Sequence, residues 1–184
     1  DQGYVTFIKG RPGANYPEWE EEGTPALQTM KTFSFIDVER IAAIASSYGN
    51  QEIQSYGLEN PRDLKSYIAL STFNNPWVML GSLEPFDIPT MLLSGGGEEP
   101  VAGRDCDHDA YVWSQEFSEK MQQENSKYYL GWTAFDQETY GCVYHSYMWD
   151  FGSPAEQASI EIIFQVLGAT IGTDVGPDLL ARKV

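Results

Sequence analysis

The sequence predicts an α+β domain in which a mostly antiparallel sheet carries about four packed helices in a single pair of layers. Three observations lead there. Apolar and aromatic residues alternate on both sides of a short acidic turn between Tyr128 and Phe151, as in a hairpin. Apolar residues recur at helical spacing elsewhere, beside capping residues. A chain of 184 residues is long enough to bury one full core without staples.

In chain order, Tyr4 to Lys9 alternates apolar and polar side chains and reads as a strand. Residues 10–31 lose that pattern among Pro12, Gly13, Pro17, Gly23 and Pro25 and the acidic Glu18, Glu20, Glu21 and Glu22. They read as a long surface loop pinned by Trp19. Ser34 and Asp37 resemble a capping box, and Ile36, Ile41, Ile44, Ala45 and Tyr48 follow at helical spacing until Gly49 closes the helix. Asn60 and Pro61 open a second helix with Leu64, Tyr67 and Ile68 on its apolar face. Trp77 to Leu83 and Ile88 to Leu93 are continuous apolar runs, expected to be buried strands.

Gly95, Gly96 and Gly97 lack the Lys and the Ser or Thr of a phosphate loop and read as a flexible connection. Tyr128 to Phe135 and Tyr140 to Phe151 form the expected hairpin around Asp136, Gln137, Glu138 and Thr139. Ser153, Pro154 and Glu156 start a last helix that packs Ile160, Ile163, Val166 and Leu167 inward. Residues 172–184 read as a flexible tail. No repeat or linker divides residues 1–184, so one domain is expected.

Acidic residues outnumber basic ones 27 to 11, for a formal charge of −16 and a pI near 4.3. Such a field repels phosphate backbones and anionic membrane surfaces, which argues against nucleic-acid binding. No apolar stretch reaches the ~20 residues of a membrane span. The chain opens on Asp1, and removal of an upstream segment is expected. With two cysteines that could pair, this suggests an exported protein, extracellular or periplasmic.

One acidic segment is spaced for a cation. Asp105, Asp107 and Asp109 alternate, Tyr111 offers a backbone carbonyl, and Glu116 follows at the distance of a bidentate carboxylate. The run resembles the twelve-residue calcium loop of the EF-hand family, in which oxygens at alternate positions converge on one hard dication. The resemblance implies calcium held by Asp105, Asp107, Asp109, Tyr111 and Glu116. Ala110 stands where the family has glycine, and no helix enters the loop. An exiting helix is expected, with Val112, Trp113, Phe117 and Met121 on one face and Asn125 near its end.

Cysteine and histidine fall in two pairs, Cys106 with His108 and Cys142 with His145. A Cys106–Cys142 disulfide, a Cys2His2 zinc site and a cysteine nucleophile with a histidine base are the alternatives, the disulfide being favoured for an unassisted pair. Serine-nucleophile patterns of the GxSxG type, dinucleotide fingerprints and HExxH are absent. Among the many acids, Glu18, Glu20, Asp136 and Glu138 lie near aromatics and are candidates for paired-carboxylate hydrolysis. The leading expectation is an exported, non-enzymatic domain that binds a protein partner or itself, ordered by calcium at 105–116. The alternatives are a secreted hydrolase of polysaccharide or another neutral polymer, and a subunit of a capsid, filament or other assembly.

Overall fold

A computed structural model describes residues 23–73, 76–97, 106–143, 148 and 150–172. Six α-helices and four strands follow one another among them: α1 (Gly23–Lys31), β1 (Ala42–Ser47), α2 (Gly49–Glu59), β2 (Ser66–Thr72), α3 (Pro76–Leu80), β3 (Thr90–Gly95), α4 (His108–Asn125), β4 (Tyr129–Phe135), α5 (Gln137–Tyr140) and α6 (Pro154–Thr170).

The strands form one sheet in the order β1-β2-β3-β4, and every neighbouring pair is parallel. This corrects the expected mostly antiparallel sheet with about four helices. Parallel neighbours need a crossover, and α2, α3 and α4 lie in the three crossovers. Crossovers of one hand between successive strands place their helices on one face. Accordingly Tyr56 of α2, Val78 of α3 and Phe117 and Met121 of α4 share a buried cluster with Tyr67, Ala69 and Leu92 of the sheet. α6 comes after the last strand and covers the other face, where Ala155, Ile163 and Leu167 pack with Ile68, Leu70, Met91, Leu93 and Phe135. With both faces covered, β2 and β3 are buried along their whole length.

Each misread element has a local cause. Ile41, Ile44, Ala45 and Tyr48 fit helical spacing, but residues 42–47 are a strand, and Gly49 begins α2 instead of ending a helix. Asn60 is the C-cap of α2, and Tyr67 and Ile68 belong to β2, pointing to opposite faces. Residues 76–80 are a short helix, not a strand. The turn expected at Asp136 to Thr139 is helical instead. Asp136 accepts a hydrogen bond from the Thr139 N–H at 2.9 Å and so caps α5, and β4 pairs with β3 instead. Hydrogen bonding from the Thr139 backbone holds the Asp136 carboxyl below its usual range. Residues 23–31 of the expected loop are helical; Tyr4–Lys9, Trp19, Glu18, Glu20 and the tail beyond 172 lie outside the described residues.

Several expectations hold. Ile88 to Leu93 overlaps β3. α4 has Phe117 and Met121 buried and Asn125 at its end, where the Asn125 amide donates to the carbonyls of Leu83 and Phe86 at 3.0 and 2.8 Å. α6 starts as read: Ser153 Oγ accepts from the Glu156 N–H at 3.2 Å, and Glu156 accepts from the Gly152 N–H at 2.9 Å. No helix among the described residues is long and apolar enough to cross a membrane.

α2 meets the segment before β3 at Gly57, where a Cβ would lie 2.5 Å from a Phe86 ring carbon and 2.7 Å from Ile88 Cδ1. Two effects oppose one another in Gly57→Ala. Helix propensity favours alanine by about 1 kcal/mol, while overpacking a rigid buried contact costs about 1–3 kcal/mol. Overpacking wins, so urea denaturation is expected to show a net loss of about 1 kcal/mol; a more stable variant would show that the Phe86 ring yields.

Candidate active site at the carboxyl edge of the sheet

Parallel pairing makes all four strands end at the same edge, and the order β1-β2-β3-β4 runs through it without a reversal. At that edge β1 turns directly into α2. Ser47 makes the turn with φ +55, after a register shift between Ser46 and Ser47 that pairs Ser47 with Thr72. A non-glycine residue in this left-handed region costs about 1–2 kcal/mol.

Asn50, in the first turn of α2 and fully buried, holds that conformation. Its amide donates to the Ser47 carbonyl at 2.8 Å and to the Leu70 carbonyl at 3.1 Å, and its Oδ1 accepts from the Tyr67 hydroxyl at 2.7 Å. Complete burial pushes the Tyr67 hydroxyl pKa up, which keeps it the donor in this contact. Strand and helix meet at small residues, where a Cβ at Gly49 would make ordinary contact with that of Ala45 at 3.8 Å.

Four described non-glycine residues have positive φ, and three lie at this edge: Ser47, Ser71 at +42 and Asp107 at +60. Backbone strain of this kind gathers at functional sites. Two of the three are bonded to each other, since Ser71 Oγ donates to Asp107 Oδ2 at 2.8 Å with both residues buried. Asp107 is the N-cap residue of α4, but its carboxylate faces the end of β2 and makes no cap hydrogen bond. Next to it His108 Nδ1 donates to the Gly97 carbonyl at 2.9 Å.

The segments after β3 and β4 are drawn together here. Gly96, at φ +91, passes so close to the next segment that a Cβ would lie 2.7 Å from the Cys106 carbonyl oxygen. One at Gly95 would lie 2.5 Å from Val143 Cγ1. Between these contacts Cys106 and Cys142 form the expected disulfide, with Cα atoms 5.1 Å apart. A disulfide suits an oxidising compartment. It also takes both cysteines out of the zinc and cysteine-nucleophile readings.

Of the residues expected to bind calcium, most are described. Asp109, Tyr111 and Glu116 lie along α4, so the turning loop is not formed over 108–116. Asp107 Oδ2 accepts from Ser71 Oγ, and Asp105 lies outside the described residues, as does His145. Among the described residues no three His, Cys, Asp or Glu side chains come together as a metal-binding group. Asp136 and Glu138 sit at the start of α5. Sequence reading missed Ser47. The available signal was Ala45-Ser46-Ser47-Tyr48-Gly49, a small-x-Ser-x-Gly run in which alanine takes the place of the first glycine of GxSxG.

Scanned against protein-family models, curated proteins and solved structures, the chain matches none.

Two stability outcomes follow. Ser47→Gly relieves the positive φ at the cost of unfolded-chain entropy, so it is expected to be at least as stable as Ser47→Ala, by up to about 1 kcal/mol; thermal melts that rank glycine below alanine would remove the strain argument. Cys106→Ala with Cys142→Ala opens a cross-link spanning 36 residues and is expected to cost about 3–4 kcal/mol. At this chain length that lowers Tm by roughly 10 °C, measurable by calorimetry.

Proposed function

We propose that this chain is a serine-nucleophile hydrolase that cleaves neutral or cationic esters through an acyl-enzyme. The observation that carries the reading is Ser47 at positive φ on a strand-to-helix turn at the carboxyl edge of a parallel sheet. In α/β-hydrolases such a turn lifts the serine hydroxyl clear of its neighbours, and the catalytic groups follow in the chain order serine, carboxylate, histidine. Here Ser47 ends the first described strand. Asp107 lies in the segment after β3, beside Glu98, Glu99 and Asp105 in sequence, and His145 follows β4.

In this mechanism Ser47 Oγ attacks the ester carbonyl carbon and its proton passes to an imidazole, a role that chain order alone gives to His145. The N–H of Tyr48, at the N-terminus of α2, supplies a donor to the developing oxyanion, and the helix dipole favours the negative charge. The C–O bond to the alcohol then breaks, and the imidazolium returns the proton to the departing alkoxide. Water, deprotonated by the same imidazole, attacks the acyl-enzyme, releases the carboxylic acid and regenerates Ser47. A carboxylate from the segment after β3 orients the imidazole, and Asp107 is the described candidate. The formal charge of −16 disfavours anionic substrates, which leaves neutral and cationic esters. This reading keeps the hydrolase class weighed from sequence but assigns the chemistry to serine instead of paired carboxylates.

The test is hydrolysis of p-nitrophenyl acetate. Ser47→Ala and His145→Ala are each expected to lower kcat by about 10³-fold or more while melting near the parent temperature. His108→Ala is expected to retain most activity. Undiminished turnover by Ser47→Ala, or none by the parent, would overturn the assignment.

A further inference from the structure

Two aromatic side chains that touch one another lie one residue beyond Ser47 and one residue beyond its partner in the sheet. Tyr48 directly follows Ser47, and Phe73 directly follows Thr72, the register partner of Ser47. Their rings meet with centroids 4.0 Å apart at an interplanar angle of 39°. Phe73 in turn meets Trp113 edge to face, at 4.2 Å and 65°. Trp113 lies in the second turn of α4, whose first residues are fixed at the same edge by the Ser71–Asp107 bond. All three are half-buried, whereas the aromatics deeper on this face, Tyr67, Phe86 and Phe117, are fully buried. The trio therefore runs from Tyr48, next to Ser47, through Phe73 to Trp113, and each of the three residues is only partly buried.

We infer that Tyr48, Phe73 and Trp113 form the wall that receives the acyl group of the substrate, and that they select esters of aromatic or similarly flat apolar acids over small aliphatic ones. Resting on the assignment of Ser47 as nucleophile, the inference adds the substrate class. A flat apolar acyl group gains burial and offset ring contact against such a wall, whereas an acetyl group reaches little of it. The short link between Ser47 and Tyr48 fixes one ring relative to the reacting carbon, so the preference is expressed in acyl transfer as well as in binding. Two of the three rings come from other elements, which makes them separable from the nucleophile by mutation.

The test compares p-nitrophenyl benzoate with p-nitrophenyl acetate, which share a leaving group and differ in the acyl group. The parent is expected to favour the benzoate in kcat/KM. Phe73→Leu and Trp113→Leu, which keep apolar bulk but lose the ring, are expected to cut benzoate kcat/KM by about tenfold and acetate kcat/KM by less than about threefold. Thermal melts verify that each variant is folded, and Trp113→Phe is expected to restore most of the benzoate preference. An equal fall for both esters, or an unchanged ratio, would overturn the aromatic wall while leaving Ser47 in place. Turnover of both esters by Ser47→Ala would instead overturn the nucleophile assignment on which it rests.

Discussion

Parallel pairing of the four strands is the constraint on which the remaining structure depends. It requires a crossover between each pair, and crossovers of one hand put α2, α3 and α4 on one face and leave the other to α6. It also makes every strand end at the same edge. Segments far apart in the chain, after β1, β2, β3 and β4, are thereby brought to one place with no interaction dedicated to gathering them. The Cys106–Cys142 disulfide and the Ser71–Asp107 hydrogen bond then fix what the topology has already collected.

The strain at this edge is supported by the packing below it. Ser47 would relax out of its left-handed conformation if α2 were free to shift, but Asn50 bonds the Ser47 carbonyl to the end of β2 and to Tyr67 within the fully buried core. Each of these polar groups would cost about 1–3 kcal/mol if left buried without a partner, comparable with the conformational cost of the turn. Core and edge are therefore coupled, the buried amide holding the Ser47 carbonyl in the turn.

The cap of α6 was legible in the sequence because it is local, whereas Asn60 caps the end of α2 and the Ser34–Asp37 pair leads into β1. Ser153, Pro154 and Glu156 identify the start of α6, and the apolar positions 117 and 121 identify the buried face of α4. The cysteine pair was legible because two cysteines leave a single intramolecular pairing. Strand direction was not legible. Ile41, Ile44, Ala45 and Tyr48 satisfy a helical period although most of them flank or form a six-residue strand, and periodicity over so short a run does not separate the two. Asp136 to Thr139 has the composition of a hairpin turn, yet the same aspartate caps a helical turn, and long-range pairing with β3 decides the outcome. The alternating acids from Asp105 matched a loop pattern, while their backbone joins a helix from His108 onward. Ser47 was hidden because alanine replaces the first glycine of its pattern, and only the dihedral angle at the strand-to-helix turn makes it conspicuous.

The most direct test of the account is covalent labelling of the folded protein with a fluorophosphonate, which transfers its phosphonyl group to an activated serine and releases fluoride. Peptide mass mapping is expected to find one adduct, on Ser47, with none after heat denaturation or in Ser47→Ala. An unlabelled protein, or an adduct on a different serine, would contradict the claim that this edge carries an activated nucleophile.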